Sequence, residues 1–346
     1  MEASKLLIKF SQKLWTDAEQ QQQFIHALTQ PRSFSPCILW TKPRPETFPF
    51  AVEPALPWQA AFVDRLTLGE RPGQHSLHEA GYFYCLDFSS VFAATPLLAI
   101  RSSSSRGLID APVRLVVDMC ASPGGKSIFA WAALQPDYLL SNEVIGKRIG
   151  ALLSNLKRCQ IEPAVVSNLD PEVLAEAIPQ TAEVVLVDAP CTGQSLLAKG
   201  GKAPGCFHPV SINKNANRQK RIIANSARVV APGGYLLYMT CAYSPEENEQ
   251  VCEWFLEKFS QFQPIAVDAL SAYRSHLAQF PCYRMFPQLG LGAGAFSALF
   301  QNTAGFTING EAIDRESADN NAIEETAAQR LKEFLQRPRL ISTSRS

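Results

Sequence analysis

The chain is predicted to be an α/β protein built on a doubly wound, mostly parallel sheet, with a smaller N-terminal accessory unit. Three observations point there. From Val113 onward, short apolar runs that end in polar residues alternate with helix-patterned segments. Before that, Pro31, Pro36, Pro43, Pro45, Pro49, Pro54 and Pro57 break the chain into short pieces that exclude long helices. Finally, 46% hydrophobic and 18% charged residues fit an ordinary globular protein whose 346 residues can bury a full core.

Taken in order, residues 1–30 are polar with a helical stripe of Leu6, Leu7, Phe10 and Leu14, and the run Gln20–Gln23 reads as a solvated face. The segment lacks the apolar centre of a signal peptide, and nowhere does an apolar run approach the ~18 residues of a membrane span. A cytoplasmic monomer with no membrane contact is expected. Residues 31–110 should form short strands, turns and loops, and Arg101–Arg106 an exposed joining loop. The sheet then opens with Leu115-Val116-Val117-Asp118, a glycine turn and a helix from Ser127 to Leu134. Tyr138–Glu143 is a second strand, followed by a helix to Cys159; Ala164–Val166 and Val184–Val187 are further strands. A helix from Asn217 to Val230 and a strand from Tyr235 to Thr240 follow. The expected units are 1–110, 111–301 and a polar tail, 302–346, helical over Ala327–Leu335 and otherwise mobile.

Ligands on such sheets bind beyond the carboxyl ends of the strands. Asp118, Glu143, Asp188, Cys191 and Cys241 all fall there. Each alone is readable as a core thiol or a capping acid; their coincidence is hard to ascribe to packing. Nine cysteines without a CxxC pair argue against a zinc or thioredoxin-like site and for reduced thiols, and no metal is expected. From Ala189 to Pro245 there is no acidic residue, although Lys199, Lys202, Lys214, Arg218, Lys220, Arg221 and Arg228 are present. In a chain of zero net charge, that imbalance predicts a local polyanion-facing surface rather than a general nucleic-acid coat.

The turn Cys120-Ala-Ser-Pro-Gly-Gly-Lys126-Ser127 tests two nucleotide motifs and fails both. A triphosphate loop needs glycine where Cys120 stands, and the dinucleotide pattern needs more than Gly124 and Gly125. What survives is a strand, a tight turn and a second strand-end acid, Glu143, placed to accept hydrogen bonds from ribose hydroxyls. Without a pyrophosphate loop, S-adenosylmethionine is the natural cofactor.

These motifs resemble the Nop/Sun (RsmB-type) family of RNA cytosine-5 methyltransferases. The resemblance rests on Asp118–Ser127, Asn142-Glu143 with Arg148, Leu152, Asn155 and Arg158, Asp188-Ala-Pro-Cys191-Thr-Gly193, and Thr240-Cys241-Ala-Tyr-Ser-Pro-Glu-Glu-Asn-Glu249. Gly81–Tyr84 through Ser90 resembles the family's aromatic lead-in, though Leu86 stands where a Gln is usual, and Arg284–Phe296 its looser closing motif. The resemblance implies a Rossmann-like class I methyltransferase fold over about residues 80–300. It implies S-adenosylmethionine across Cys120, Ala121, Ser122, Pro123, Gly124, Gly125 and Lys126, with Glu143 on the ribose, Asp170 near the adenine, and Arg148 and Asp188 beside them. Cys120 is equally readable as structural, as are Cys159 and Cys252, and His208 as a surface residue.

Carbon 5 of cytosine is a poor nucleophile until a thiolate adds to carbon 6. The resemblance makes Cys241 that nucleophile and Cys191 the residue that assists resolution. The residues alone leave this open, since DNA cytosine methyltransferases attack from a Pro-Cys motif like Pro190-Cys191. Asp188 would hydrogen-bond the base edge, and Lys126 would do likewise or lower a thiol pKa. The RNA base must be single-stranded or flipped out. Lys199, Lys202, Lys214, Arg218, Lys220 and Arg221 would hold phosphates, and N-terminal aromatics would stack on unpaired bases. Ribosomal RNA is expected before transfer RNA. The competing reading is a methyltransferase for a protein or small molecule with structural cysteines.

Overall fold

The computed structural model describes residues 3–100, 112–304, 329–336 and 340–343. The expected loop Arg101–Arg106 and most of the tail lie outside them.

The stretch 1–30 is two helices rather than one, α1 (Lys5–Leu14) and α2 (Ala18–Thr29). Trp15 is extended, and Asp17 starts α2 anew by accepting the Gln20 N–H at 2.8 Å. Leu7, Phe10 and Leu14 are buried as the stripe requires, but Leu6 is 43% exposed because it sits on the opposite edge of α1. The proline-rich segment forms a small antiparallel sheet of β1 (Cys37–Trp40), β2 (Val63–Arg65) and, after the short α3 (Ser76–Glu79), β3 (Phe83–Leu86), in the order β2-β1-β3. Next come α4 (Phe88–Ala94), capped by Asp87 on the Ser89 N–H, and α5 (Pro96–Ile100).

The large sheet begins with β4 (Leu115–Asp118), α6 (Gly125–Leu134), β5 (Tyr138–Asn142), α7 (Gly146–Arg158), β6 (Ala164–Ser167), α8 (Pro171–Ala177) and β7 (Ala182–Asp188). It continues with α9 (Pro209–Val229), β8 (Val230–Thr240), α10 (Glu249–Lys258), β9 (Phe262–Ile265), β10 (Tyr283–Met285) and β11 (Ala295–Asn302). Strands pair in the order β10-β11-β8-β7-β4-β5-β6, closed by β12 (Ile341–Ser342), with β9 on β11. The five from β6 to β8 run parallel, and the outer pairs are antiparallel. The predicted doubly wound sheet is therefore present.

Strand pleating divides the core into two layers. Val116, Leu139, Leu186 and Leu237 pack with Phe92, Leu97 and Ile128 of α4, α5 and α6. Leu115, Val117, Leu140 and Leu236 point the other way, onto Leu174, Ile223 and Phe255 of α8, α9 and α10. Helix α4 is tied to the large sheet: Ser297 Oγ donates to the Ala93 carbonyl at 2.7 Å and the Gly294 N–H to Ser89 Oγ at 2.9 Å.

Two expectations need correction. Helix α9 starts at Pro209 rather than Asn217, with His208 at its N-cap accepting the Val210 N–H at 3.3 Å; proline at the first helical position lacks only an N–H that the helix would leave unpaired. In the tail, residues 329–335 are helical, but Ile341–Ser342 is no mobile end: it pairs antiparallel with β6 and covers that sheet edge. No helix among the described residues is long and apolar enough to cross a membrane.

Candidate active site

The turn after β4 is held from three sides. Asp118, fully buried, accepts the Ser127 hydroxyl at 2.7 Å and the Cys120 N–H at 3.2 Å, and Ser141 Oγ donates on to Ser127 at 3.1 Å. Burial pushes the Asp118 carboxyl up to about 7, with the Ser127 hydrogen bond opposing. Gly124 sits at φ +113°, and a Cβ on Gly125 would stand 3.1 Å from the Tyr84 ring, so the Gly-Gly pair meets a backbone and a space requirement. From α7, Arg148 Nη2 donates to the Ser122 carbonyl and Asn155 Nδ2 to that of Pro123 at 2.9 Å.

Beyond the turn is a cleft of about 250 Å³. Cys120, Ser122, Glu143, Arg148, Asp170, Asp188, Cys191 and Cys241 all line it. Of the other predicted cofactor residues, Ala121, Pro123, Gly124, Gly125 and Lys126 build the turn and the start of α6 without being cleft lining, and Lys126 pairs at 2.7 Å with Asp188, which does line it. Glu143 is 2% exposed. Its Oε1 accepts the Ile145 N–H at 2.8 Å, while Oε2 is buried without a hydrogen bond, although Arg148 Nη1 lies 3.2 Å away off the hydrogen-bond line. A charged acceptor without a donor, in the wall of a cleft, fits the vicinal hydroxyls of a ribose. Asp170 does two things at once: it caps α8 through the Glu172 N–H at 3.0 Å and faces the cleft. Burial raises the Cys120 thiol far above its ordinary range, so Cys120 is an inert wall residue. Cys159 and Cys252 are buried in the two core layers.

The loops leaving the adjacent parallel strands β7 and β8 bring Cys191 Sγ to 3.1 Å from Cys241 Sγ. Both thiols are half-buried. Their surroundings differ: Asp188 pushes the Cys241 thiol up while Ser195 and Lys126 hold it down, and Glu247 pushes Cys191 up. The hydrogen bond from Cys191 holds the Cys241 thiol down, to about 7, and the same bond together with burial pushes Cys191 up. The two thiols are thus coupled through this contact, Cys241 held down and Cys191 pushed up.

Several residues that position this loop pair were not singled out by the sequence, although Asn248 and Glu249 lie within the Thr240–Glu249 motif, Gln194 follows Gly193 and Arg284 opens the closing motif. Gln194 Oε1 accepts the N–H groups of Tyr243 at 2.6 Å and Ser244 at 3.0 Å. Asn248 Nδ2 donates to the Ala242 carbonyl at 2.9 Å. Arg284 and Glu249, 3% and 1% exposed, form a buried two-pronged ion pair, and Arg284 Nη1 also donates to the Tyr243 carbonyl at 2.8 Å. Phe24 of α2 meets the Tyr243 ring edge-on at 5.1 Å, so the N-terminal helices brace the Cys241 loop.

The acid-free stretch is less basic in space than along the chain. Asp87 pairs with Lys199, Asp170 lies 4.0 Å from Arg221, and Lys220 sits over the Trp254 ring at 5.5 Å. Arg218 and Arg221 line the cleft itself. Lys202, Lys214 and Arg218, the last also lining the cleft, are the cations of the expected phosphate surface that stay exposed without an ion pair among the described residues. The N-terminal rings Phe10, Phe24, Trp58, Phe83 and Phe88 are buried against one another or the sheet, where no base can stack on them. Among the described residues no cluster of His, Cys, Asp or Glu has the makings of a metal site.

Residues 110–301 match the family described as 16S rRNA methyltransferase RsmB/F. The chain is 29% identical over 255 residues to the ribosomal RNA small subunit methyltransferase F of Escherichia coli O17:K52:H18 (strain UMN026 / ExPEC), covering 72% of this chain and 51% of that protein. It thus spans about half the length of the curated relatives it matches. In fold it is similar to a methyltransferase homolog protein from Pyrococcus horikoshii, with TM-score 0.68, 20% identity and coverage of 86% of this chain and 95% of that one. It is similar too to NSun6 from Pyrococcus horikoshii with SFG, with TM-score 0.66, 17% identity and coverage of 87% and 98%.

Proposed function

Because the chain belongs to the family described as 16S rRNA methyltransferase RsmB/F, we propose that it methylates carbon 5 of a cytosine in RNA through a covalent cysteine adduct. Ribosomal RNA is the favoured substrate, as the name of the Escherichia coli relative also suggests. The cofactor is S-adenosylmethionine, which supplies an electrophilic methyl group when bound. One observation carries the proposal: two thiols from separate strand ends meet at 3.1 Å in the same cleft as the buried Glu143 carboxylate, whose Oε2 has no hydrogen-bond donor. A methyltransferase for a protein or small molecule needs no such pair.

Each residue then has a task. The Glu143 carboxylate holds the ribose, and Asp170 faces the adenine end of the cleft. The Cys241 thiolate adds to carbon 6, which makes carbon 5 nucleophilic. Asp188, fixed by Lys126 at 2.7 Å, takes the polar edge of the base, and the ammonium offsets charge that develops there. After transfer, Cys191 gives its proton to the departing Cys241 sulfur, which takes back the electron pair of the carbon–sulfur bond, and the resulting Cys191 thiolate takes up the proton of carbon 5 as the ring double bond re-forms. Cys191 is placed beside the departing sulfur to serve that release.

Glu143→Ala should weaken S-adenosylmethionine binding by ~1.5–3 kcal/mol, the range for a hydrogen bond to a charged group, as read by calorimetry. Equal affinity would remove Glu143 from the ribose site. RNA binding should fall steeply with salt, and Lys202→Glu with Lys214→Glu should reduce the slope of log K against log salt by roughly 0.7–0.9 per lost phosphate contact. A slope equal to the parent's would place the RNA elsewhere.

The function itself is tested by bisulfite sequencing of total RNA from a deletion strain against its parent. A cytosine protected in the parent and converted in the deletion strain supports the assignment. Identical maps, together with methyl transfer by Cys241→Ser at the parent rate, would return the protein to the class with structural cysteines.

A further inference from the structure

The run Pro245–Glu249 holds three acids of different fate. Glu246 pairs with Lys13 at the surface, and Glu249 with Arg284 in the core. Glu247 is fully buried and has no cation among the described residues. Instead it accepts four hydrogen bonds. Oε1 takes the Thr192 N–H at 2.8 Å and Gln219 Nε2 at 3.1 Å; Oε2 takes the hydroxyls of Thr192 and Ser244, each at 2.6 Å. These donors come from the Cys191 loop, from α9 and from the Cys241 loop. Gln219 Nε2 also reaches the Pro190 carbonyl at 3.0 Å.

Burial raises the Glu247 carboxyl and its hydrogen bonds from Ser244, Thr192 and Gln219 oppose that; in its ionised form, a carboxylate satisfied only by neutral dipoles keeps its field. That field falls on Cys191, whose chain neighbour Thr192 is bound at both oxygens. Cys241 has Lys126 on its own side. The other titratable groups facing the two thiols are Asp188, which pairs with Lys126 but pushes the Cys241 thiol up, the buried Tyr238 beneath, the buried Tyr243 beside Cys241, and Arg218 across the cleft from α9.

We infer that Glu247 is a positioning residue that keeps the proton on Cys191 and leaves the negative charge to Cys241, so that the nucleophile and its partner cannot exchange roles. This rests on the reading of the two thiols as the reactive pair. It adds to that reading a residue that touches neither RNA nor cofactor.

The test is alkylation of the full chain by substoichiometric iodoacetamide between pH 5.5 and 9.5, without RNA or cofactor, each thiol being followed by mass spectrometry. In the parent protein Cys241 should label at lower pH than Cys191. In Glu247→Gln, which keeps the side-chain shape and removes the charge, Cys191 labelling at pH 7 should rise about tenfold, the change made by one pKa unit. Glu247→Asp, which restores the charge, should bring it back toward the parent. An unchanged Cys191 profile in a folded Glu247→Gln protein overturns the inference, leaving Glu247 a purely structural tie. If that variant does not fold, the parent profile decides, because Cys191 labelling at or below the pH of Cys241 also overturns it. Methyl transfer is not the readout, so loss of the proposed RNA activity and loss of this inference are separate results.

Discussion

Cys241→Ala is expected to abolish methyl transfer and leave no protein–RNA adduct, whereas Cys191→Ala should stop turnover with an adduct that survives denaturing electrophoresis. The contrast follows from order in the reaction. Without Cys241 nothing adds to carbon 6, and carbon 5 never becomes nucleophilic. Without Cys191 the nucleophile itself is still present: Cys241 loses the hydrogen bond that most holds its thiol down, but Ser195 and Lys126 still act in that direction, so addition proceeds from a higher pH. Breakdown then lacks the group 3.1 Å from the departing sulfur. Release should slow by ~10²–10⁴-fold, the usual worth of positioned proton transfer. Labelled RNA co-migrating with the protein after denaturation measures this directly. An adduct with Cys241→Ala and none with Cys191→Ala would reverse the two roles. Full activity in both would remove the covalent mechanism.

The second large effect is on stability. Arg284→Met leaves Glu249, 1% exposed on its side chain, as a buried charge without its partner, which costs ~3–5 kcal/mol. Denaturant unfolding should show the whole of that loss. The double substitution Arg284→Met with Glu249→Gln should recover a large part, since a neutral amide can still accept from Ser275 Oγ, now bonded to Glu249 Oε1 at 2.6 Å. The variants separate stability from activity: the Tyr243 carbonyl loses its Arg284 donor in both, so the Cys241 loop should stay loosened in the double variant. A single variant as stable as the parent would mean that the pair is hydrated in solution.

The sheet was legible because parallel strands buried on both faces are continuous apolar runs, and Leu115–Val117 or Val184–Val187 can hardly be anything else. Boundaries were less legible where a local signal competed with context. Asp17 splits the first thirty residues into two helices although the polar pattern runs on, and His208-Pro209 starts α9 inside a Gly/Pro-rich stretch that reads as loop. The edge strand Ile341–Ser342 carries almost no signal, since two residues owe their conformation to the β6 edge beside them.

By itself, the sequence determined the alternating strand and helix order, and with it the end of the sheet where any chemistry must sit. It determined the candidates too: Asp118, Glu143, Asp188, Cys191 and Cys241 all reach that end, because a residue's place in a parallel strand fixes the end from which it projects. Tertiary structure alone decided what these groups are to one another. Cys191 and Cys241 are fifty positions apart in the chain and 3.1 Å apart in space, close enough to share a proton. Glu247 beside Cys191, and Asp188 with Lys126 beside Cys241, act on that proton, an arrangement that the order of acids in Pro-Glu-Glu-Asn-Glu does not contain. The basic stretch was likewise divided by Asp87 and Asp170, which lie outside it in sequence and against it in the fold. Charge interactions depend on distance through space and on burial, and only the folded chain sets either one.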